Sequence, residues 1–495
     1  METAIKINEF IGKIVWGTPT VLLLLGFGAY MSCRTGFFQI RHFGYVMKMT
    51  VGGIASGKSR KKGENGALSP FQTLCTALSA TVGTGNIAGV AYAIAMGGPG
   101  AVFWMWAAAL LGMMTAFSEN VLGIYFRKRD GSGSFRGGAM YYLENGLGSI
   151  GRRRAGRALA LLFSASSVLA SLGIGNMSQV LSIKESVLSA MGTEAHGIVP
   201  VVIGAVLTAA VGITLVGGIG RIAKANELLM PFMALLYAIG SLTVIFMNFQ
   251  NVLPAFCAIF KGAFSFKSAC GGVGGYAFLR TASWGVKRGV FSNEAGLGSS
   301  VTVHCESDIE EPVEQGMWSI FEVFFDTMVV CTLTALAVLT SGAVYDASTV
   351  NKTTLAALAF SKSFGRAGGV FVSAAVLLFA FSSMLGWSHY GLRGAEYVFG
   401  EKAGKCYKIL FILLTFAGAV MDADIAIAFS DTFNGLMILP NLIGISALSG
   451  TVLNVTKNYA ERKFNGRALR PALSFYSDIQ AENEEKCRKS SSVKR

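Results

Sequence analysis

Hydrophobic positions in this chain run in long unbroken stretches, not in the alternation of a strand or the narrow stripe of a surface helix. About 18 or more predominantly apolar residues cross a bilayer as a helix. Eleven such segments are drawn: 10–32, 70–96, 100–126, 158–183, 198–218, 226–248, 275–305, 316–341, 368–391, 405–422 and 428–455. The pattern therefore predicts an all-α polytopic membrane protein. The seventh segment is the least regular, because Arg280, Lys287 and Arg288 interrupt its first half. Either it starts nearer residue 289 or these cations line a wet cavity. The polar tail after residue 471 is expected to be partly disordered, chiefly from Gln480 to Arg495.

Two segments carry glycine clusters where a continuous helix is expected. The second holds Thr81-Val82-Gly83-Thr84-Gly85-Asn86-Ile87-Ala88-Gly89, and the seventh holds Gly289-Val290-Phe291-Ser292-Asn293-Glu294-Ala295-Gly296-Leu297-Gly298. Each glycine inside a helix costs roughly 1 kcal/mol relative to alanine. Clustered at mid-membrane they predict unwound backbone, which lipid tolerates only where it lines protein or a wet cavity. Both breaks share the letters N-x-A-G, at Asn86–Gly89 and Asn293–Gly296. Spans 2–6 and 7–11 form two sets of five, and an odd number per set inserts the second set upside-down. That is an inverted repeat headed by discontinuous helices 2 and 7 and preceded by one extra helix, with the binding site at the breaks. The expected units are residues 1–69 (a helix and basic linker), 70–250 and 251–456 (the two repeats), and 457–495 (a basic tail).

Composition narrows the class. Only 14% of residues are charged and 52% are hydrophobic, against roughly 25% charged in soluble domains, which excludes a soluble enzyme and a disordered chain. The net charge of +14 shows no basic stripe interleaved with aromatics, so no nucleic-acid partner is expected. The basic residues instead report topology. With the N-terminus outside and the C-terminus cytoplasmic, inside segments hold 31 Lys and Arg against 8 outside, and three lie within the seventh span. This places the chain in the plasma membrane, of bacterial inner-membrane type, with the lipid bilayer as its partner. Residues 10–32 lack a small-x-small cleavage site, so no cleavable signal is expected. The eight cysteines form no C-x-x-C pair, and among four histidines no nucleophile–base pair or metal spacing appears.

The chain resembles the alanine/glycine:cation symporter family, also called the sodium:alanine symporter family. The resemblance rests on Gly83–Ala91 (GTGNIAGVA), Gly137–Tyr142 (GGAMYY), Gly173–Asn176 (GIGN), Leu215–Ile219 (LVGGI), Phe291–Gly296 (FSNEAG) and Phe381–Trp387 (FSSMLGW). It implies the LeuT-type fold of the amino acid, polyamine and organocation carriers, a 5+5 inverted repeat. It also implies import of alanine, and often glycine, with co-transported Na⁺ and no organic cofactor.

A zwitterion needs donors for its carboxylate and acceptors for its ammonium. Half-helix N-termini offer N–H groups and a positive dipole end, and unwound carbonyls accept from the ammonium or hold Na⁺. Thr84, Gly85 and Asn86 stand at the first break, and Phe291, Ser292 and Asn293 are their counterparts at the second. The competing reading of the glycines is tight helix packing. Gln179 on the fourth span lies three residues after Asn176, so both fall on broadly one side of a helix; it either reaches the ammonium or bridges helices. By resemblance, the hydroxyls of Ser382 and Ser383 and carbonyls near Thr81 and Thr84 hold Na⁺, which wants oxygen ligands; an isolated helical Ser otherwise bonds its own helix. Trp387 would limit side-chain size. Glu294 is expected in a supporting role, pairing with Arg280, Lys287 or Arg288, and Asp326 as a coupling or supporting carboxylate. Glu119 is a weaker candidate of the same kind. Asp422, Asp424 and Asp431 are expected in a solvated turn, and His304-Cys305-Glu306 is a weak metal motif. Proton coupling through Glu294 or Asp326 is the alternative to Na⁺; a channel or intramembrane enzyme fits less well.

Overall fold

Lipid offers no hydrogen bonds, so an apolar stretch must satisfy its own backbone, and helices do this locally. The computed structural model describes residues 2–60, 67–131, 133–192, 197–264, 272–346, 355–421 and 424–492. Among them, nine helices are long and apolar enough to cross a membrane, and one bent pair makes a tenth. The first span is two helices, α1 (Glu2–Val15) and α2 (Thr18–Arg34). They part at Trp16-Gly17, where Pro19 sits in the first turn of α2 and needs no donor. The second span is α3 (Pro70–Thr81), a π-helical turn at Gly85–Gly89, and α4 (Val90–Gly97), bent by 51°. Ser69 starts it: its hydroxyl accepts from Gln72 N, and the Gln72 side chain accepts from Ser69 N.

The first repeat continues through α5 (Ala101–Tyr125), α6 (Arg153–Leu172) joined by a π-turn to α7 (Ser178–Met191), α8 (Ile198–Val216) and α9 (Gly218–Met247). The second repeat runs α10 (Gly272–Asn293), α11 (Val301–His304), α12 (Pro312–Val323) joined by a π-segment to α13 (Thr332–Thr340), α14 (Arg366–Phe399), α15 (Ala403–Val420) and α16 (Asp424–Ala447). The seventh span is helical, but its three cations keep it out of the apolar set, so the expected eleven reduce to ten by apolarity alone. The last span ends at Ala447, earlier than expected. After Leu448 the chain turns into a separate polar helix, α17 (Ser449–Lys463).

Part of the tail expected to be disordered is helix α18 (Ser477–Ser492). Composition missed this because the helix is held by ion pairs rather than by an apolar face. Glu482 takes a two-pronged contact from Arg129, and Glu484 pairs with Arg470.

The helices sort into two packed groups, each drawing on both halves of the chain. In the first, α5 of span 3 packs on α10, α12 and α4 of spans 7, 8 and 2; in the second, spans 4, 5, 9 and 10 pack as α6 and α7 on α14 and α8 on α15. Helix α9 bridges the groups through α3 and α14, and α16 lies along α6. The extra helix sits outside both repeats, with α1 on α16 and α2 on α5.

At one end the two broken spans are stitched together. Leu68 N donates to Glu306 O at 2.9 Å, and Asp308 N donates to Leu68 O at 3.0 Å. Arg127, fully buried, donates to the carbonyls of Cys305, Ser307 and Ile309 and lies 3.6 Å from the Phe135 ring centroid. Arg127→Ala strands these acceptors, at roughly 2–5 kcal/mol. A lower melting temperature in detergent is the expected result, with Arg127→Lys recovering only part because an ammonium lacks the planar fork. Unchanged melting would remove Arg127 from this role.

Candidate functional site

The first break begins where α3 ends at Thr81 and Val82 takes ψ 89°. Asn86 closes it: its Oδ1 accepts from Gly83 N at 2.9 Å. The second break starts later than the glycine pattern indicated. Residues 289–293 remain helical, and the backbone departs at Glu294, which holds φ +54°. Gly289 is a packing glycine, since a Cβ there would stand 3.4 Å from both Ala108 and Met105. Gly296 (φ +96°) and Gly298 (φ +75°) supply the turn that only glycine adopts freely.

The two N-x-A-G asparagines converge on one place. Asn86 Nδ2 donates to Asp326 Oδ1 at 2.6 Å, and Asn293 Nδ2 donates to Thr327 Oγ1 at 3.1 Å. Ser292 Oγ and Thr327 Oγ1 each donate to Asp326 Oδ2 at 2.8 Å. Asp326 and Thr327 lie on the π-segment Phe324–Cys331, fully buried. Both breaks are thus tied to the eighth span through a buried carboxylate that accepts hydrogen bonds from Asn86, Ser292 and Thr327.

Between the breaks lies a cavity of about 30 Å³. Thr81, Thr84, Gly85, Gln179, Phe291, Glu294, Ser383 and Trp387 line it, joined by Ala80, Gly83, Ile174 and Asn434. Asn86, Ser292, Asn293 and Asp326 stand behind it, not in its wall. Thr84 Oγ1 donates to Gln179 Oε1 at 3.3 Å, and Gln179 Nε2 donates to Ile174 O. Asn176 diverges from Gln179, because the π-turn Gly173–Met177 shifts the register. Asn176 Nδ2 donates instead to Phe411 O at 2.6 Å, on the tenth span. Gly175 lets the Trp387 side chain close in, as a Cβ would meet Trp387 Cβ at 2.5 Å.

Ser383 Oγ donates to Ser79 O at 3.0 Å, at the C-terminal end of α3, and a Cβ on Gly83 would fall 2.6 Å from it. Ser382 is not brought to the break in the same way. Its hydroxyl donates to Phe379 O and faces Met233 Sδ at 3.2 Å. The Thr81 hydroxyl bonds the carbonyls of its own helix.

The expected partners of Glu294 are wrong. Its Oε2 accepts from Ser299 Oγ at 2.5 Å, within its own turn, while Arg280 is exposed. Arg288 lies over the rings of Tyr92, Trp284 and Phe291, with centroids 5.0–5.9 Å away. Phe291, Arg288 and Lys287 line a vestibule of about 810 Å³, together with Trp16 and Asp431. Phe291 and Ile174 border both spaces, so they separate cavity from vestibule. Of the three basic residues of the seventh span, Lys287 and Arg288 therefore line an open cavity and Arg280 does not. Asp431 also lines it; Asp422 and the side chain of Asp424 lie outside the described residues.

Glu119 accepts from Asn441 Nδ2 at 2.5 Å, and the same nitrogen donates to Gly296 O, so this pair braces the second break. His304 bonds Glu322 at 2.7 Å and Gln315, while Glu306 takes His389 and Arg393. Among the described residues no His, Cys, Asp and Glu cluster of three or more is placed to hold a metal. Sequence reasoning missed Asn434 and Ile174 in the wall: Asn434 lies in no motif, Ile174 sits in the Gly173–Asn176 block without a polar side chain to mark it, and the packing of α16 against the π-turn brings them in.

Residues 1–472 match the family described as the sodium:alanine symporter family. The chain is 40% identical over 463 residues to "Sodium/alanine symporter AgcS" of Methanococcus maripaludis, covering 93% of this chain and 98% of that protein. It is 35% identical to "Probable sodium/glutamine symporter GlnT" of Bacillus subtilis, covering 94% and 92%. The crystal structure of MhsT in complex with L-phenylalanine superposes with a TM-score of 0.54 at 12% identity, over 79% of this chain and 98% of that one. That likeness shows the fold alone, which is of the LeuT type. Family and fold are those of a transporter rather than an enzyme. The chain belongs to the sodium:alanine symporter family of multi-pass membrane transporters.

Proposed function

We propose that this chain is a secondary-active symporter that imports a small neutral amino acid, alanine and also glycine, together with Na⁺ by alternating access. The observation that carries the reading is the cavity between two repeat-related helix breaks, bordered by half-helix ends and closed by Trp387 and Phe291. At about 30 Å³ it has room on the order of two or three waters, so a substrate with a small side chain demands the least widening of the site. Gly85, where the second half-helix begins, offers N–H groups to the substrate carboxylate. The last carbonyls of α3 lack intrahelical partners, and with the Ser383 hydroxyl they form the Na⁺ site; Thr81 and Thr84 contribute oxygens from the break, and Ser382 adds its hydroxyl on turning from Met233. Gln179 orients the substrate through Thr84. Asn86, Ser292, Asn293 and Asp326 hold the two breaks in register. The excess of Lys and Arg on one side orients the N-terminus outside and the C-terminus in the cytoplasm of a plasma membrane, so the vestibule faces outward.

Purified protein in proteoliposomes is expected to accumulate [¹⁴C]-alanine when a Na⁺ gradient is imposed, and not when only a Li⁺ or proton gradient is. Uptake indifferent to Na⁺ would replace this reading with its rival, a proton-coupled carrier using Asp326 or Glu294. That rival has one observation in its favour: Asp326 is fully buried and receives only neutral donors. No uptake of any small amino acid would sink the substrate class.

A further inference from the structure

Asn434 lies on α16 and is only 2% exposed, yet its Oδ1 has no hydrogen-bond partner. Buried side-chain polar atoms are nearly always paired, and leaving one unpaired costs about 1–3 kcal/mol. Asn434 is also one of the residues that line the 30 Å³ cavity, which puts an amide with a spare acceptor at its wall. The other polar side chains named in the wall each have at least one partner. Thr84 donates to Gln179, Gln179 donates to Ile174 O, Ser383 donates to Ser79 O, and Glu294 accepts from Ser299. An unpaired amide oxygen requires a donor, and an α-ammonium brings three.

The turn carrying Asn434 is seated by the helix that stands outside both repeats. Trp16 Nε1 donates to Asp431 O at 3.1 Å, one turn before Asn434. Gly435 admits this contact, since a Cβ there would meet Val15 Cγ2 at 2.7 Å and Trp16 Nε1 at 2.8 Å. We propose that Asn434 Oδ1 accepts a hydrogen bond from the α-ammonium of the bound amino acid, with Trp16 as its positioning residue. This rests on the reading of the cavity as a small amino acid site. It gives the extra helix a task that neither five-span repeat supplies: fixing the acceptor opposite the two breaks.

The test measures binding of [¹⁴C]-alanine to the full-length protein in nanodiscs, with N-methylalanine as competitor. N-methylation removes an ammonium donor and adds bulk at the same atom. Asn434→Ala is expected to weaken alanine about 10- to 100-fold and to shrink the preference for alanine over N-methylalanine. Asn434→Asp keeps an oxygen acceptor in place and is expected to bind alanine within a few-fold of wild type. Trp16→Phe keeps the ring without the donor and shifts both quantities the same way, by less. Unchanged alanine binding in Asn434→Ala overturns the proposal, as does a loss with the alanine to N-methylalanine ratio intact, or an Asn434→Asp variant as weak as Asn434→Ala. A raised Na⁺ requirement with that ratio intact would assign the oxygen to the ion and overturn it equally. Wild-type protein that binds no small amino acid would instead bring down the functional reading beneath it.

Discussion

Asn86→Ala is expected to abolish alanine uptake at any Na⁺ concentration, although the side chain does not line the cavity. The reason is the double duty of one amide. Asn86 is fully buried; its Oδ1 holds Gly83 N at 2.9 Å and its Nδ2 holds Asp326 Oδ1 at 2.6 Å. Truncation frees the break to lose its shape and leaves a buried carboxylate short of a donor. A hydrogen bond to a charged group is worth about 1.5–3 kcal/mol and the neutral one about 1 kcal/mol. A combined loss near 3 kcal/mol weakens binding roughly 150-fold, enough to erase a signal of ordinary transporter affinity. Asn86→Asp separates the two bonds. It retains an acceptor for Gly83 N but sets a second carboxylate against Asp326, so it is expected to fail as completely. Scintillation proximity binding of [¹⁴C]-alanine checks both variants, with detergent melting to confirm folding. Near wild-type binding by Asn86→Ala would mean that the first break is not what shapes the site.

The repeat and its breaks were legible because their physics is local. Clustered glycines cost helix stability wherever they sit, and the matched N-x-A-G letters marked both places. The start of the second break was not legible: Gly289 and Gly296 look alike in sequence, and only packing on Ala108 and Met105 makes the first a helical contact. The convergence of Asn86 and Asn293 on Asp326 and Thr327 depends on how spans 2 and 7 cross span 8, which periodicity does not encode. Gln179 and Asn176 were expected on one side of a regular helix, but the intervening π-turn sends one to the cavity and the other to the tenth span. Glu294 was assigned a basic partner because such residues were near in sequence. Six residues of helix and the left-handed backbone at Glu294 aim Arg288 at the vestibule rings and leave Glu294 on the cavity side.

Ser383→Ala is expected to raise the Na⁺ concentration needed for half-maximal uptake about tenfold, while leaving alanine affinity at saturating Na⁺ nearly unchanged. The Ser383 hydroxyl is buried and sits at the C-terminal end of α3, where it meets Ser79 O at 3.0 Å and closes on Gly83. A helix C-terminus carries partial negative charge and unpaired carbonyls, and a hydroxyl oxygen beside it completes a hard-oxygen setting for a small cation. Deleting one neutral ligand among several removes on the order of 1.4 kcal/mol, a factor of ten, without touching the substrate's own contacts. Ser388 provides the control on the same helix. It is also buried, but its hydroxyl donates to Leu385 O at 2.7 Å within α14, so Ser388→Ala is expected to leave the Na⁺ curve in place. Uptake measured across Na⁺ concentrations at fixed membrane potential distinguishes the cases. Equal shifts in both variants would reduce the Ser383 effect to general loosening of α14, and no shift in Ser383→Ala would move the ion away from the first break.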